Sequence, residues 1–597
     1  MLGPHLFTNM SEISYIKNNI QKYNWYSNSF LNLKKMADKL LEKGFEVPEK
    51  SGFVFYDTCS RDDGQLIFDP YRPDVYACRK CGMNYMDEPF KRAWICQYHS
   101  WLSQISVIVG IAYLVDGDEC YAKAIRKMLL DYVKKYPAYP NNDNELGPTK
   151  VFQSTYMESV WATYLACAYD MVRHSKCFTK DERLAIENDL FRVSAQVIFD
   201  YDEKMNNRQA FNNAALCAIG FLVGDKKLVD YSLNGKHGFV THMNESVLED
   251  GLWYEGDNYH FATVPSIVNI AEIFRHNGIN LYDKNFNGHT IKMLFDAPLL
   301  SLQPDLTFPS RKDSRYANHF AQRWYAGLYE LAYSRYNEAS FAKILKIIYA
   351  HKEADDFAPP SAAGIMDVLR AELSRRDRLD WRGFLNVTPD LGNEAGLPIT
   401  NSVNMTGTGL AVLRKNNSTS YASLDYGKYG GGHGHPDRLN LNYFTKGRRG
   451  LTDLGTGNYF FDHLRWYRST IGHNTVCIDG KAHLPVDGVC TVFEETSIVS
   501  IAGGAIKDLS PDVNVNRTIL LLGDGLLFDF LSVDSNETHQ YHYTLHSFGE
   551  LDLNGEKLKP AKLSGENYDF IKDIWKYTTS KSFISTFNND DASLVIN

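Results

Sequence analysis

The sequence predicts a multidomain α + β protein in which an N-terminal helical array is followed by an antiparallel, β-sandwich-like domain. Between about residues 9 and 378, apolar residues recur at helical spacing in consecutive stretches, as at Trp101, Ile105 and Val109. Beyond residue 378 the spacing changes to alternation, as in the stretch 437–443, which is typical of strands. The change of period indicates two kinds of domain in one chain.

The helical part shows no interleaved strand pattern, which indicates an array of helical hairpins. Helices are predicted at 91–115, 119–136, 153–174, 180–204, 211–223, 226–238, 260–277, 317–336 and 338–351. The pattern fits an open solenoid and a closed toroid equally well. The predicted boundaries are a lead-in at 1–90, a main helical domain at 91–385 and a β-domain at 398–597. A charged stretch containing Gly and Pro near 375–398 is the predicted linker.

A glycine-containing turn supports the β-domain. Gly523-Asp524-Gly525 separates two apolar stretches, Thr518–Leu522 and Leu526–Phe528, as in a β-hairpin. The chain stops within 592–597, an apolar stretch typical of a strand. The sequence pattern therefore leaves open whether the β-domain is truncated at its C-terminus.

Composition and charge exclude several classes of protein. The 597 residues are 44% hydrophobic and 23% charged with 10 cysteines, which excludes a disordered chain, a collagen, a coiled coil and a small disulfide-rich toxin. The net charge of −9 gives no support to nucleic-acid binding. No stretch reaches about 18 apolar residues, and no basic segment followed by an apolar one opens the chain. We therefore expect no membrane span and a cytoplasmic location, or a periplasmic one if a leader was removed; the oligomeric state stays open.

Cysteines in the lead-in form a candidate metal motif. Cys78 and Cys81 have the CxxCG spacing that is typical of zinc knuckles, with Cys59 before them and Cys96 after them. A strong zinc signal needs a second paired knuckle, and Cys59 and Cys96 are single. A zinc ion at Cys78 and Cys81 and free buried thiols both remain open.

Histidines and aspartates concentrate in the β-domain. His433 and His435 lie in a glycine-rich stretch before a predicted strand, and Asp453 and His473 lie beside neighbouring strands. Imidazole and carboxylate groups that converge from adjacent strands are typical of an N/O zinc site. The alternative is a glycine-rich loop whose histidines bind the backbone.

A second polar concentration lies in the helical part. The stretch 206–213 contains four asparagines, Arg208 and Gln209 directly before an apolar run, and the stretch 251–260 contains Trp253 and Tyr259 among acidic residues. Because buried amides without partners are costly, these side chains are expected to face a polar cleft. The alternatives are helix capping by Asn212 or Asn213 and ordinary packing of the aromatic rings.

The chain resembles the heparinase II/III-like polysaccharide lyases, a superfamily that includes heparinases and oligoalginate lyases. The resemblance is carried by NNRQAFNNAALCAIG, EDGLWYEGDNYHFA, DYGKYGGGHGHPDRLNLNYF, LTDLGTG and WYRSTIGHNTV and runs from about Lys91 to Asp479. It implies an incomplete (α/α) toroid followed by antiparallel β-sheets. It also implies β-elimination beside a uronic acid, which leaves a 4,5-unsaturated uronate end.

The resemblance implies roles for the catalytic positions. Tyr259 matches the catalytic tyrosine, the proposed acid and in some members also the base. Asn207 matches the asparagine that binds the uronate carboxylate, and His433 matches a substrate-facing histidine that could serve as base. Arg208 stands where several members have histidine, which allows charge neutralisation but removes a neutral base.

The resemblance also implies binding positions. His435, Asp453 and His473 match the ligands of a structural zinc ion, which would fix the strands that present His433 and Tyr459. Further expected substrate contacts are Tyr459, Arg465, Arg468, Gln209 and Trp253. Arginine can hold a carboxylate or a sulfate in bidentate fashion, but salt bridges from loop to sheet are an equal alternative for Arg465 and Arg468.

These features predict a polysaccharide lyase that is exo-acting on oligosaccharides, because no leader is visible. Heparin/heparan-type glycosaminoglycans are the expected substrates, because the lead-in with its CxxCG knuckle resembles that of members with such substrates. An oligoalginate lyase is the alternative, and a non-catalytic glycan-binding protein on the same fold is the second. A glycoside hydrolase using Glu255 and Asp257 is disfavoured, because carboxylates two residues apart would not readily straddle a glycosidic bond.

Overall fold

The computed structural model describes residues 3–62, 64–144, 146–316, 318–351, 375–459, 461–553, 555–589 and 592–597. The chain divides into two compact units, and neither is continuous in sequence. The helical unit comprises Met1–Val247, Tyr259–Phe295 and Phe320–Pro398, and the β-unit comprises Leu248–Asn258, Asp296–His319 and Ile399–Asn597. The β-unit thus includes two segments from the part of the chain whose pattern predicts helices.

The helical unit consists mainly of consecutive α-helices, as the periodicity predicts. Their bounds are Met10–Lys22, Asn24–Lys43, Phe90–Asp116, Glu119–Lys135, Thr155–Val172, Lys180–Ala185, Val193–Phe199, Asn207–Val223, Lys226–Asn234, Phe239–Glu245, Asp257–His276, Arg323–Tyr336, Ala339–Ala350 and Trp381–Asn386. The α + β class is confirmed, and the closure of these helices into a toroid stays a prediction.

Several elements of the helical part differ from the prediction. The helix expected at 180–204 contains a π-helical segment, Ile186–Arg192. Additional elements are the ribbons Leu66–Phe68/Tyr76–Cys78 and Asn142–Asn144/Gly147–Thr149 and the helix Met293–Ser301. The stretch expected to be a linker contains the buried helix Trp381–Asn386, because Trp381 and Phe384 are apolar anchors within a charged sequence. Tyr26 Oη donates to the carbonyl of Phe384 at 2.6 Å.

One helix of the described residues, Phe90–Asp116, is long and apolar enough to cross a membrane by composition alone. Its most apolar window is 83% buried inside the protein. The apolar side chains of this helix therefore pack inside the protein, as those of a core helix do.

The β-unit consists mainly of antiparallel sheets. A five-stranded sheet has the order Val403–Met405, Leu410–Lys415, Ser420–Asp425, Asn440–Thr445 and Arg448–Leu451. A four-stranded sheet has the order Val489–Glu495, Val499–Ser510, Val513–Leu522 and Leu527–Ser535, and its last pair forms the predicted hairpin, with Leu521 opposite Leu527. Smaller sheets contain Val476–Ile478 with Tyr541–Tyr543, Glu550–Asp552 with Ser585–Asn589 and Ala592–Ile596, and Lys559–Pro560 with Trp575–Lys576.

The five-stranded sheet buries both of its faces, which explains the near-continuous burial along its central strands. One face shares a core with the four-stranded sheet through Ala411, Leu413, Leu424, Val515 and Ile519. The other face packs Leu410, Val412, Tyr421 and Phe444 against Leu252 and Ala297 of the two inserted segments. These segments, which carry Glu255 and Asp313, are therefore part of the β-unit core.

Candidate active site

Asp313 is a buried carboxylate that receives hydrogen bonds from two histidines and an arginine. Its oxygens accept from His433 Nδ1 at 2.6 Å, from His435 Nε2 at 3.0 Å and from Arg468 Nε at 3.2 Å. Thr456 Oγ1 also donates to it, at 3.2 Å. Asp313 thus connects residues that lie more than 100 positions away in the sequence.

The backbone holds Asp313 in place. Its N–H donates to the carbonyl of His433 at 3.2 Å, and Thr456 N–H donates to the carbonyl of Ser314 at 3.0 Å. The sequence analysis did not identify Asp313. The available signal was the run 311–315, in which four of five residues are charged.

The surroundings keep Asp313 ionised. Burial raises the pKa of Asp313, but the hydrogen bonds from His433 and His435 and the charge of Arg468 outweigh it and hold this pKa well below its ordinary value. An ionised carboxylate that accepts from Nδ1 keeps the proton on that nitrogen of His433 and orients the ring. The His433 side chain is 22% exposed, so Nε2 belongs to a group that solvent or a ligand can reach.

Glu255 lies on the other side of His433. Its Oε1 is 3.4 Å from His433 Nε2, and its Oε2 accepts from Trp253 Nε1 at 2.6 Å. Trp253 is only 1% exposed, so its ring offers little area to a sugar and its clearest contribution is to hold Glu255. Asp257 instead pairs with Arg311 at 3.4 Å. The two carboxylates of the hydrolase alternative therefore serve different partners.

The residue before Tyr259 is tied to the Asp313 segment. Asn258 N–H donates to Ser314 Oγ at 3.1 Å, and Asn258 Nδ2 donates to the carbonyl of Asp313 at 3.3 Å. Tyr259 follows in the first turn of the helix Asp257–His276 and belongs to the helical unit. Its side chain is 7% exposed.

Lys312 is buried beneath the glycine-rich loop. Its Nζ donates to the carbonyl of Tyr254 at 3.0 Å. A Cβ at Gly430 would lie 2.5 Å from Lys312 Nζ, and one at Gly256 would lie 3.1 Å from Lys312 Cδ, so these two glycines leave the space that the lysine fills. Burial, followed by the charge of Arg311, lowers the pKa of Lys312 to about 8.

We expect Lys312→Met to change the pH dependence of stability. The folded pKa of about 8 lies below the ordinary 10.5, so between these values the unfolded chain binds more protons and wild-type stability rises with pH. The thermal midpoint of the wild type minus that of the variant should therefore increase as the pH is raised from 7 to 10. Lys507→Met, at an exposed strand position, is the matched control. A difference between wild type and Lys312→Met that does not vary with pH would contradict the expectation.

The two arginines expected to contact substrate are both paired with carboxylates. Arg468 binds Asp313 and lies over the ring of Tyr459, with its guanidinium carbon 5.5 Å from the ring centroid. Arg465 binds Asp462 at 2.7 Å and Asp569 at 3.3 Å. Both guanidinium groups therefore form salt bridges, although none of their carboxylate partners lies on a strand.

Three buried donor atoms converge in the β-unit. His435, Asp437 and His473 each place one potential ligand atom within 4.8 Å of the others. His435 Nδ1, Asp437 Oδ2 and His473 Nε2 are buried and have no hydrogen-bond partner among the described residues. Because unpartnered buried polar atoms are costly, their convergence fits a bound cation, and two imidazoles with one carboxylate are typical zinc ligands.

Asp453, a zinc ligand implied by the resemblance, hydrogen-bonds to the ring nitrogen of His473 that lies opposite the convergent one. Its Oδ2 accepts from His473 Nδ1 at 2.8 Å and from Asn440 Nδ2 at 2.7 Å, and its Oδ1 accepts from Gly455 N–H. Asp453 therefore orients His473 from the side away from the convergent atoms, as carboxylates behind metal-binding histidines do. Asp437, which the sequence analysis did not assign, completes the set of three.

The helical unit places the asparagine-rich stretch at the start of the helix Asn207–Val223. The N-cap is Asn206, whose Oδ1 accepts from the N–H groups of Arg208 and Gln209. Capping by Asn212 or Asn213 is therefore wrong, since the helix begins at Asn207, four residues before its predicted start at 211. Both asparagines are buried: Ser159 Oγ donates to Asn212 Oδ1, and Asn213 Nδ2 donates to the carbonyl of His237.

Asn207, Arg208 and Gln209 have distinct surroundings within that unit. Arg208 Nε donates to Glu203 Oε2 at 2.8 Å, and Asn207 is buried in the first turn. Gln209 is buried with both ends of its amide engaged, since it accepts from Glu203 N–H and donates to Asn213 Oδ1, each at 2.9 Å. Gln209 thus holds the turn before the helix.

Known proteins resemble both parts of the chain. Residues 398–504 match the family model described as heparinase II/III-like, C-terminal, and residues 62–305 match the model described as alginate lyase. An alginate lyase of Stenotrophomonas maltophilia (strain K279a) is 25% identical over 500 residues. These matches confirm the resemblance carried by the histidine and tyrosine motifs. The chain is therefore similar to heparinase II/III-like proteins in its β-unit and to alginate lyases over 62–305.

A second curated protein is similar over almost the same length of chain. An exo-oligoalginate lyase of Saccharophagus degradans (strain 2-40) is 23% identical over 502 residues. The matches to the two curated relatives cover 77% and 76% of this chain but only 64% of each relative, so the chain spans less than two thirds of their length.

Solved structures share the fold. The heparinase III BT4657 gene product has a TM-score of 0.54 at 17% identity, with 83% of this chain and 75% of that chain covered. The heparan sulfate lyase HepC from Pedobacter heparinus has a TM-score of 0.52 at 16% identity, with 91% and 77% covered.

Proposed function

We propose that this protein is a polysaccharide lyase that cleaves a uronic-acid-containing glycan by β-elimination. The observation that carries the proposal is the pairing of His433 Nδ1 with the ionised Asp313 at 2.6 Å, which orients the imidazole ring of a partly exposed histidine. In the reaction, a base removes the C5 proton and the C4–C5 double bond forms. The C4–O bond breaks and an acid protonates the leaving oxygen. No water is consumed.

The proposed roles follow from the chemistry of each group. Tyr259 is the proposed acid and, as in some members of the family, a candidate base. His433 is the proposed base, especially for one uronate epimer. Asn207 and Arg208 are the proposed contacts to the uronate carboxylate, whose neutralisation makes the C5 proton more acidic. Glu203 already pairs with Arg208, so the amide of Asn207 is the stronger candidate for this contact.

A structural zinc ion is part of the proposal. His435, Asp437 and His473 are the proposed ligands, and Asp313 and Asp453 hold the remaining nitrogens of the two histidines. A cation there would offset the buried charge of Asp437 and fix His435, two residues from His433. We assign it no chemical step.

The proposed substrate is an unsulfated oligouronate of the alginate type. Three arginines considered for anion binding, Arg208, Arg465 and Arg468, are each paired with a carboxylate, which offsets their charge toward a sulfate. The sequence relatives with alginate substrates in their names support this choice. A heparan-type oligosaccharide, expected from the sequence, is the second candidate, and the fold likeness to heparinase III and HepC supports it.

The test is incubation of the full chain with alginate, heparan, chondroitin and hyaluronan oligosaccharides. Elimination creates a conjugated double bond that absorbs in the ultraviolet, whereas hydrolysis creates none. We expect absorbance to rise with alginate oligosaccharides, with monosaccharide-sized products if action is exo. Reducing ends that form without absorbance would indicate a hydrolase. Binding by calorimetry without any product would indicate a glycan-binding protein.

A further inference from the structure

A second group of metal-ligating side chains lies in the helical unit, within the lead-in. Cys59, Asp62, Cys78 and Cys81 each offer one ligand atom, and these four atoms all lie within 4.8 Å of one another. We propose that these residues bind a single zinc ion as a Cys3Asp site. The proposal is independent of the lyase activity and of the cation at His435, Asp437 and His473.

The distances fit one tetrahedral ion. Cys59 Sγ and Cys81 Sγ are 3.8 Å apart, which is about the sulfur–sulfur edge of a tetrahedron with Zn–S bonds of about 2.3 Å. A disulfide would require about 2.05 Å. Cys78 Sγ lies 3.2 Å from Asp62 Oδ1, as expected for a thiolate and a carboxylate that share an ion.

Backbone amides point at the sulfur atoms. Lys80 N–H and Cys81 N–H approach Cys78 Sγ at 3.3 and 3.5 Å, and Arg61 N–H approaches Cys59 Sγ at 3.4 Å. Tyr85 Oη lies 3.0 Å from Cys59 Sγ. Donors of this kind stabilise thiolates and orient metal ligands.

The chain is shaped around the cluster. A Cβ at Gly64 would lie 2.5 Å from Cys78 Sγ, so a glycine lets the backbone approach the sulfur. Cys59 and Cys78 are buried whereas Cys81 is exposed, so an ion would be held at the edge of the unit. Cys96, the other single cysteine of the motif, lies outside this cluster, and Asp62 takes the fourth position.

The site would fix a small ribbon on the core. Cys78 ends the strand Tyr76–Cys78, which pairs with Leu66–Phe68. This ribbon contacts the helix Phe90–Asp116, since Gln97 Nε2 donates to Tyr76 Oη at 2.7 Å and the rings of Phe68 and Trp94 lie 5.4 Å apart. A pairing of three residues is too short to stabilise a ribbon on its own. An ion bound at the end of the ribbon would supply stabilisation that the few strand hydrogen bonds do not.

Cobalt substitution of the full chain tests the site directly. Thiolate ligands give Co2+ intense near-ultraviolet charge-transfer bands, and the cation site of the β-unit contains no sulfur. We expect these bands with one equivalent of Co2+ at the cysteine site. Asp62→Cys should keep the ion and raise the band intensity by about one third, because four thiolates replace three. Absence of the bands would overturn the proposal. A disulfide between Cys59 and Cys81 that persists in protein purified with a reductant, or bound iron in place of zinc, would also overturn it.

Zinc content measured by mass spectrometry separates the two sites. The double variant Cys78→Ser/Cys81→Ser should lose one zinc ion per chain, and His473→Ala should lose the other. Cys120→Ser, at a partly buried cysteine outside the cluster, is the matched control and should lose none. A double variant that keeps the wild-type zinc content would overturn the proposal, and the cobalt spectrum of the wild type decides if the double variant does not fold.

Discussion

Tyr259→Phe should lower the rate of elimination by about 1,000-fold while oligosaccharide binding changes little. Phenylalanine fills the same space, so the packing of a side chain that is 7% exposed is kept. What is lost is the phenolic O–H, the proposed source of the proton for the leaving oxygen. The rate is measured from ultraviolet absorbance, and binding is measured by calorimetry.

Tyr329→Phe is the matched control for this change. Tyr329 is a buried tyrosine of the same unit whose Oη donates to the carbonyl of Phe295 at 2.7 Å. Its loss should cost about 1 kcal/mol of stability and leave the elimination rate close to that of the wild type. If Tyr259→Phe retained full elimination activity, the assignment of the acid would fail.

Asp313→Asn should lower kcat by about 100-fold or more and also reduce stability and zinc content. The amide keeps the shape of the carboxylate but loses the charge that His433, His435 and Arg468 share. Removing one partner of a buried ionic interaction costs about 3–5 kcal/mol of folding free energy, so the thermal midpoint should fall. The kinetic effect should lie in kcat more than in KM, because Asp313 is fully buried and acts through His433.

Asp305→Asn provides the control on the same inserted segment. Asp305 pairs with Arg449 at 2.7 Å and is partly exposed. We expect its kcat and zinc content to stay near those of the wild type. Equal kcat values for Asp313→Asn and the wild type would rule out the proposed role of Asp313.

Local periodicity predicts the helices and strands well but misses long-range pairing. The hairpin Val513–Leu522/Leu527–Ser535 and most helices are set by residues close in sequence, so their pattern is readable. Asp313 lies 120 residues before His433, and no local pattern records that pairing. The start of the helix at Asn207 was missed because its polar first turn, capped by Asn206, has the composition of a loop.

Residue type alone does not separate the two carboxylates near the histidines of the candidate cation site. Asp437 and Asp453 have the same chemistry, and only the rotamer of His473 decides which of them faces Nδ1. The pairing of Arg465 with Asp569 likewise depends on a residue 104 positions away. Sequence can therefore name the groups, whereas side-chain orientation assigns their roles.

The three-segment construction of the β-unit has a consequence for synthesis of the chain. Leu252 and Ala297 cover one face of the five-stranded sheet, yet the first strand of that sheet follows Leu252 by roughly 150 residues. At about 5–20 residues per second, the ribosome needs about 8–30 s to bridge that interval. The segments that carry Leu252 and Ala297 are therefore synthesised before the sheet that they cover. A fragment that starts at Ile399 would leave Leu410, Val412, Tyr421 and Phe444 in water and should aggregate.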